Sequence, residues 1–167
     1  MKIRKSTLLD REAIMEIVEQ AKAYFKEQGI DQWQNSYPNI EVITKDIEQE
    51  NSFVLLKDEI PLATAVLTFE AELCYERVYD GGWLSEQPYG VIHRVAVRND
   101  LKGQGVSTQM IKALEQICLE QKIQSLRVDT HEENLSMQRL LKKNGFLACG
   151  FVYLACGDKR IVFEKLL

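Results

Sequence analysis

The chain has 167 residues, about one domain by length, and its 46% apolar and 28% charged residues suffice for a core and a soluble surface. Its net charge is −4, from 25 acidic against 21 basic side chains, so a nucleic-acid partner, which calls for a basic stripe, is not expected. There is no signal-peptide pattern and no apolar stretch of about 18 residues, so no membrane partner is expected; scattered Cys74, Cys118, Cys149 and Cys156 form no CxxC, which argues against a metal site and fits a reducing cytoplasm.

In chain order, Ile3 to Lys5 reads as a short first strand. Asp10 is placed to cap a helix running to about Gln28, and Gly29 ends it. The apolar residues Ala13, Ile14, Ile17, Val18, Ala21, Tyr24 and Phe25 mark one face of that helix. A polar-aromatic loop, IDQWQNSYPN, leads to a short helix from about Ile40 to Gln49. SFVLLK and LATAVLTFE are two strands, joined through DEIP as an antiparallel hairpin. Residues 70–88 form a long connection rich in Glu, Tyr and Trp, a length more typical of functional or disordered loops than of plain connectors. YGVIHRVAV is apolar on both faces apart from His93 and Arg94, as a mid-sheet strand should be. The next helix runs to about Gln121 with the stripe Val106, Met110, Leu114, Ile117 and Cys118. SLRVDTH is a strand, and NLSMQRLLKKNG is a helix capped by Asn134 and stopped by Gly145. FLACGFVYLA and KRIVFEKL close the chain as a hairpin through Gly157 and Asp158. The order β-α-α-β-β-β-α-β-α-β-β predicts one α+β domain over residues 1–167, with a mixed, mostly antiparallel sheet flanked by helices in three layers.

Between a strand and a helix stands Lys102-Gly103-Gln104-Gly105-Val106-Ser107-Thr108. The first amides of a helix lack internal partners, and the helix dipole adds partial positive charge there. Glycines turn the backbone and let an anion approach closely. Lys102 adds a full charge, and Ser107 and Thr108 add hydroxyls. The segment is neither a Walker A loop nor GxGxxG. Two readings remain: an anion cradle, or a tight strand-to-helix turn without a ligand.

The strand LRVDTH places Leu126, Val128 and Thr130 on one face and Arg127, Asp129 and His131 on the other. Three ionisable groups on one face of a central strand mean either a cleft lining or a structural ion network, because buried charge must be paired or wet. A histidine side chain is a common base near neutral pH, and His93 is either a core histidine or a base. Trp33 and Tyr37 lie in the loop after the first helix, and Trp83 and Tyr89 lie around the DGGW connection. Large aromatics of this kind either pack a core or wall a site. Glu70, Glu72, Glu76 and Asp80 form a solvated face or, if turned to a cleft, favour a cationic ligand.

VAVRNDLKGQGVSTQMI resembles the pyrophosphate-binding segment of the GNAT superfamily of acyl-CoA-dependent N-acetyltransferases, and LRVDTHEENLSMQRLLKKNGF resembles its later strand-helix block. The element order agrees with that fold, so the resemblance spans essentially the whole chain. Lys102 and Ser107 depart from the family's usual Arg or Gln and Gly or Ala. Leu141 stands seven residues after Asn134, where many members carry a Tyr that protonates the leaving thiolate.

The resemblance implies a GNAT-like acyl-CoA N-acyltransferase fold and acetyl-CoA as the acetyl donor, with no metal. Backbone groups near Val95 and Val97 would hold the pantetheine arm, and amides from Gly103 to Thr108, with Lys102 assisting, would hold the pyrophosphate. Asn134 would bond the pantetheine or the nearby backbone. Asp129, at the position of the general base in a ribosomal-protein N-acetyltransferase branch, ranks first as base, ahead of His93 and His131. Trp33, Tyr37, Trp83 and Tyr89 would line the acceptor site, and the acceptor would be an amine of a small molecule or peptide. Leu141 keeps a rival in view, a non-catalytic acyl-CoA-binding sensor, and the glycine turn keeps another, a plain nucleotide-phosphate binder. A homodimer through the edge of the C-terminal strands is a further expectation.

Overall fold

The computed structural model describes all residues, 1–167. The chain forms seven strands and four α-helices. They are β1 (Lys2–Lys5), α1 (Arg11–Glu27), α2 (Ile40–Glu48), β2 (Ser52–Lys57), β3 (Ile60–Thr68), β4 (Gly90–Val97), α3 (Val106–Glu120), β5 (Ser125–Thr130), α4 (Leu135–Lys143), β6 (Leu147–Tyr153) and β7 (Lys159–Leu166). The strands form one open mixed sheet in the order β1-β2-β3-β4-β5-β7-β6. The β4–β5 pair is parallel, while β1–β2, β2–β3, β5–β7 and β6–β7 are antiparallel. The predicted element order is the observed one. No helix is long and apolar enough to cross a membrane.

The chain divides into two compact units, one of residues 1–67 and 93–113, the other of residues 68–92 and 114–167. In the first unit, Ile14 and Val18 of α1 and Ile43 and Ile47 of α2 pack with Val54 and Leu56 of β2, and Met15 and Trp33 close over them. The helical period read from the sequence is what turns those residues inward. The β2–β3 turn is two residues, Asp58 and Glu59, both at positive φ (50° and 61°), the twist a tight hairpin demands. This turn starts β3 two residues earlier than the sequence suggests, at Ile60.

Asp10 does not cap α1 through its side chain. A 3-10 turn at Leu8–Asp10 precedes the helix, and the carboxylate reaches backward, accepting from the Thr7 amide at 2.7 Å and from the Arg4 guanidinium at 2.7 and 2.9 Å. In β4, Arg94 has a φ of 51°, so the two-face alternation of an extended strand is interrupted there. His93, Arg94 and Val95 are instead half-buried in succession.

In the second unit, Tyr75, Val91, Cys149, Val152 and Val162 form a core flanked by Cys74, Val78, Trp83 and Tyr89. The long connection therefore folds against the sheet instead of hanging free. Tyr79 bridges Phe151 in antiparallel fashion, donating to its carbonyl at 2.8 Å and accepting from its amide at 3.0 Å. The two backbones cross so closely there that a Cβ on Gly81 would run into the Cys149 carbonyl, and one on Gly150 into the Tyr79 carbonyl. The outer edge of β6 is thus already taken at Phe151, and a second copy pairing through it has to displace Tyr79.

Candidate active site

In the first unit, β4 leads into a 3-10 turn at Asn99–Leu101. Lys102 donates its amide to Asn99 and Gln104 to Leu101, and Gln109 to Gly105 makes the first turn of α3. Gly103 and Gly105 stand at φ of 79° and 80°, a region that costs an L side chain about 1–2 kcal/mol. A Cβ added at either would meet nothing within 4 Å, so the turn presents an open face. Val106 is buried. Gln104 folds its side chain back onto the Asp100 carbonyl at 2.9 Å. Ser107 and Thr108 are half-buried in the first turn of α3. The Lys102 ammonium rests 3.6 Å from the centre of the Tyr24 ring, and burial lowers its pKa against the opposing pull of Glu27.

Trp33 is a packing residue: its ring meets Phe25 edge-on at 5.5 Å over the α1–α2 core. Tyr37 is exposed, and its hydroxyl accepts from Arg94 at 2.6 Å. The same guanidinium grips Asp46 of α2 through two bonds of 2.7 and 2.6 Å. Neither Arg94 nor Asp46 stood out in the sequence as part of a site.

In the second unit, the predicted polar face of β5 is real, but its members do different work. Arg127 is buried and pairs with fully buried Glu164 of β7 at 3.2 Å, its cross-strand partner in the register. Glu164 also accepts from the Leu84 amide, from Ser85 at 3.2 Å and from Ser125 at 2.6 Å. The guanidinium lies between two rings, 4.1 Å from Trp83 and 3.9 Å from Tyr89. Trp83 and Tyr89 therefore spend part of their surface on this buried cation.

Asp129 is half-buried near the end of β5, and its Oδ2 accepts from the Tyr75 hydroxyl at 2.8 Å. That partner is a neutral phenol, not a cation. Burial, then the charge of Asp129, holds the Tyr75 hydroxyl well above the usual tyrosine range, so it stays a donor. The neighbouring Cys74 thiol is pushed up to about 11 by burial, then by Asp129 and Glu72. His131 lies just past the strand and its Nδ1 accepts from the Glu133 amide at 3.1 Å, which commits that lone pair to the turn. Asn134 is buried and caps α4, accepting from Met137 at 3.1 Å. Leu141 is fully buried on the packed face of α4.

A profile of the acetyltransferase (GNAT) family matches residues 14–146. The chain belongs to this family. A GNAT-family acetyltransferase from Streptococcus agalactiae superposes with a TM-score of 0.92 at 31% identity, covering 99% of this chain and 95% of that one. At lower identity the shared feature is the GNAT fold. The ribosomal-protein-alanine N-acetyltransferase from Brucella melitensis gives a TM-score of 0.71 at 17% identity, with both chains fully covered. The PaiA N-acetyltransferase from Thermoplasma acidophilum, solved in complex with coenzyme A, gives 0.71 at 18%, covering 99% of this chain and 98% of that one. No curated protein matches by sequence.

As a GNAT enzyme, the chain is an acetyl-CoA-dependent N-acetyltransferase. Its glycine turn fits that donor: the face at Gly103 and Gly105 is open, it lies at the start of α3, and Lys102 supplies positive charge. No cluster of His, Cys, Asp or Glu suited to a metal is present.

Proposed function

We propose that this acetyltransferase acetylates a primary amine of a small molecule or peptide by direct attack, with Asp129 as general base. Acetyl-CoA supplies an acetyl group activated as a thioester. Amides from Gly103 to Thr108 hold its pyrophosphate and Lys102 adds charge; the backbone at Val95 and Val97 lies along the pantetheine arm, with the Val97 amide polarising the carbonyl. Asp129 removes a proton from the acceptor ammonium, directly or through one water; the free amine attacks the thioester carbonyl, the C–S bond breaks as the C–N bond is made, and the CoA thiolate leaves and takes up, through solvent, the second proton lost from nitrogen. His93 is the second candidate, and His131 falls behind because its Nδ1 is committed.

The observation that carries the assignment is the setting of Asp129: a half-buried carboxylate at a strand end, bonded by a neutral hydroxyl. Its neighbour Arg127, by contrast, is consumed by Glu164. The Cys74 thiol, pushed up to about 11, is too protonated to serve as a nucleophile, which supports attack without an acyl-enzyme. The four cysteines are free, in keeping with a reducing cytoplasm.

The test is thiol release from acetyl-CoA against a panel of polyamines, amino acids, aminoglycosides and peptide N-termini. Turnover with at least one amine, cut about 100-fold or more in kcat by Asp129→Asn with acetyl-CoA affinity retained, supports the proposal. Acetyl-CoA binding without turnover on any amine points to the sensor reading instead. Full activity of Asp129→Asn overturns the base assignment.

A further inference from the structure

Tyr75 lies 54 residues upstream of Asp129, in a 3-10 turn (Leu73–Tyr75) of the long connection between β3 and β4. It is 2% exposed, and its hydroxyl bond to Asp129 is anchored from several sides. Its carbonyl accepts from the Trp83 indole at 2.8 Å. Its ring packs 5.0 Å from Trp83 and 6.5 Å from Tyr89, and both of those rings cover Arg127. Arg127 in turn donates to the Ser85 carbonyl at 2.7 Å and pairs with Glu164. A buried ion pair on β5 and β7 thus fixes two aromatic rings, the rings fix Tyr75, and Tyr75 holds one oxygen of Asp129.

We infer that Tyr75 is a positioning residue for the reaction: it pins Oδ2 of Asp129 so that Oδ1 is presented to the acceptor amine. The inference rests on Asp129 being the base. Tyr75 itself is too buried to reach substrate, and its hydroxyl is already engaged, so it is not the acid that replaces the family's tyrosine. Being buried beside a carboxylate also keeps it protonated, so it remains a donor throughout the cycle. A carboxylate that swings between rotamers spends less time in attack geometry, and small misplacements cost rate more than binding.

The experiment is a double-variant cycle on kcat, KM for acetyl-CoA and thermal midpoint, using Tyr75→Phe, Asp129→Asn and both together. Tyr75→Phe keeps the ring and its packing. We expect it to lower kcat about tenfold while KM for acetyl-CoA stays within about twofold. In the Asp129→Asn background it should change kcat no further, because the oxygen it positions no longer takes a proton. A purely structural role for Tyr75 would lower kcat equally in both backgrounds, and that result overturns the inference. Unchanged kcat in Tyr75→Phe, with Asp129→Asn inactive, overturns the inference alone. Full activity in Asp129→Asn overturns the base assignment and the inference with it.

Discussion

The ammonium of Lys102 sits 3.6 Å from the centre of the Tyr24 ring, so a residue of α1 holds the cation of the glycine turn. A ring face attracts the charge without using its directional hydrogen bonds, which leaves these for a phosphate. Lys102→Met should weaken acetyl-CoA binding about tenfold, and Tyr24→Leu about threefold. Together they should be no worse than Lys102→Met alone, since Tyr24 acts through the lysine. Calorimetric titration at low and high salt checks this, and the Lys102 effect should shrink as salt rises. Equal affinity in all variants would remove Lys102 from the donor site.

Gly105 tests the turn itself. Its φ of 80° and its open face mean that a side chain is strained there but does not clash. Gly105→Ala carries the backbone cost, about 1–2 kcal/mol, and should lower the thermal midpoint while keeping measurable acetyl-CoA affinity. Gly105→Glu adds a negative charge at the helix start and should lose about 100-fold or more. If Ala and Glu weaken binding equally, the loss is strain and not repulsion, and the anion cradle reading fails.

What the sequence revealed and what it hid follow from the range of the interactions. The α1 stripe, the Gly29 and Gly145 stops, the Asn134 cap and the glycine turn are local, and each was readable. The predicted polar face of β5 was readable too, because alternation is local. Its division of labour was not: Arg127 meets Glu164 across 37 positions, and Asp129 meets Tyr75 across 54. Opposite charges on LRVDTH and KRIVFEKL hinted at the first pair, but strand order and register decide it. Alternation failed at Arg94, since it assumes extended backbone and Arg94 leaves it. Asp10 looked like a helix cap because the 3-10 turn before α1 leaves no hydrophobic period to read.

The Arg94–Asp46 pair predicts a large stability effect. Both side chains are mostly buried, at 15% and 9% exposure, and two bonds join them. Removing one partner strands a charge, which costs about 3–5 kcal/mol. Asp46→Ala should therefore shift the urea midpoint strongly, whereas Lys5→Ala, which breaks an exposed pair with Glu50, should barely move it. Tyr37 should also loosen in Asp46→Ala, because the guanidinium that donates to it loses its anchor. Comparable small shifts for both substitutions would show that the buried pair is worth no more than a surface one.

The Arg4–Asp10 pair sets an acid limit on folding. The guanidinium bonds, opposed by burial and reinforced by Thr7, lower the Asp10 carboxyl from 3.8 to about 2. A depressed carboxyl stabilises the fold above its unfolded value and loses that contribution as pH falls through the folded one. The contribution is therefore whole above about pH 5 and fades as pH falls toward about 2. The full shift would correspond to about 2.5 kcal/mol, and because Arg4 is a third exposed, about 1–2 kcal/mol is expected. Urea unfolding of the parent and Asp10→Asn, from about pH 7 down to about pH 3, reads this directly. The gap between them should be constant near neutrality and close progressively in acid. A gap that stays constant to the lowest pH would mean that Asp10 stabilises the turn by shape and hydrogen bonding, not by its charge.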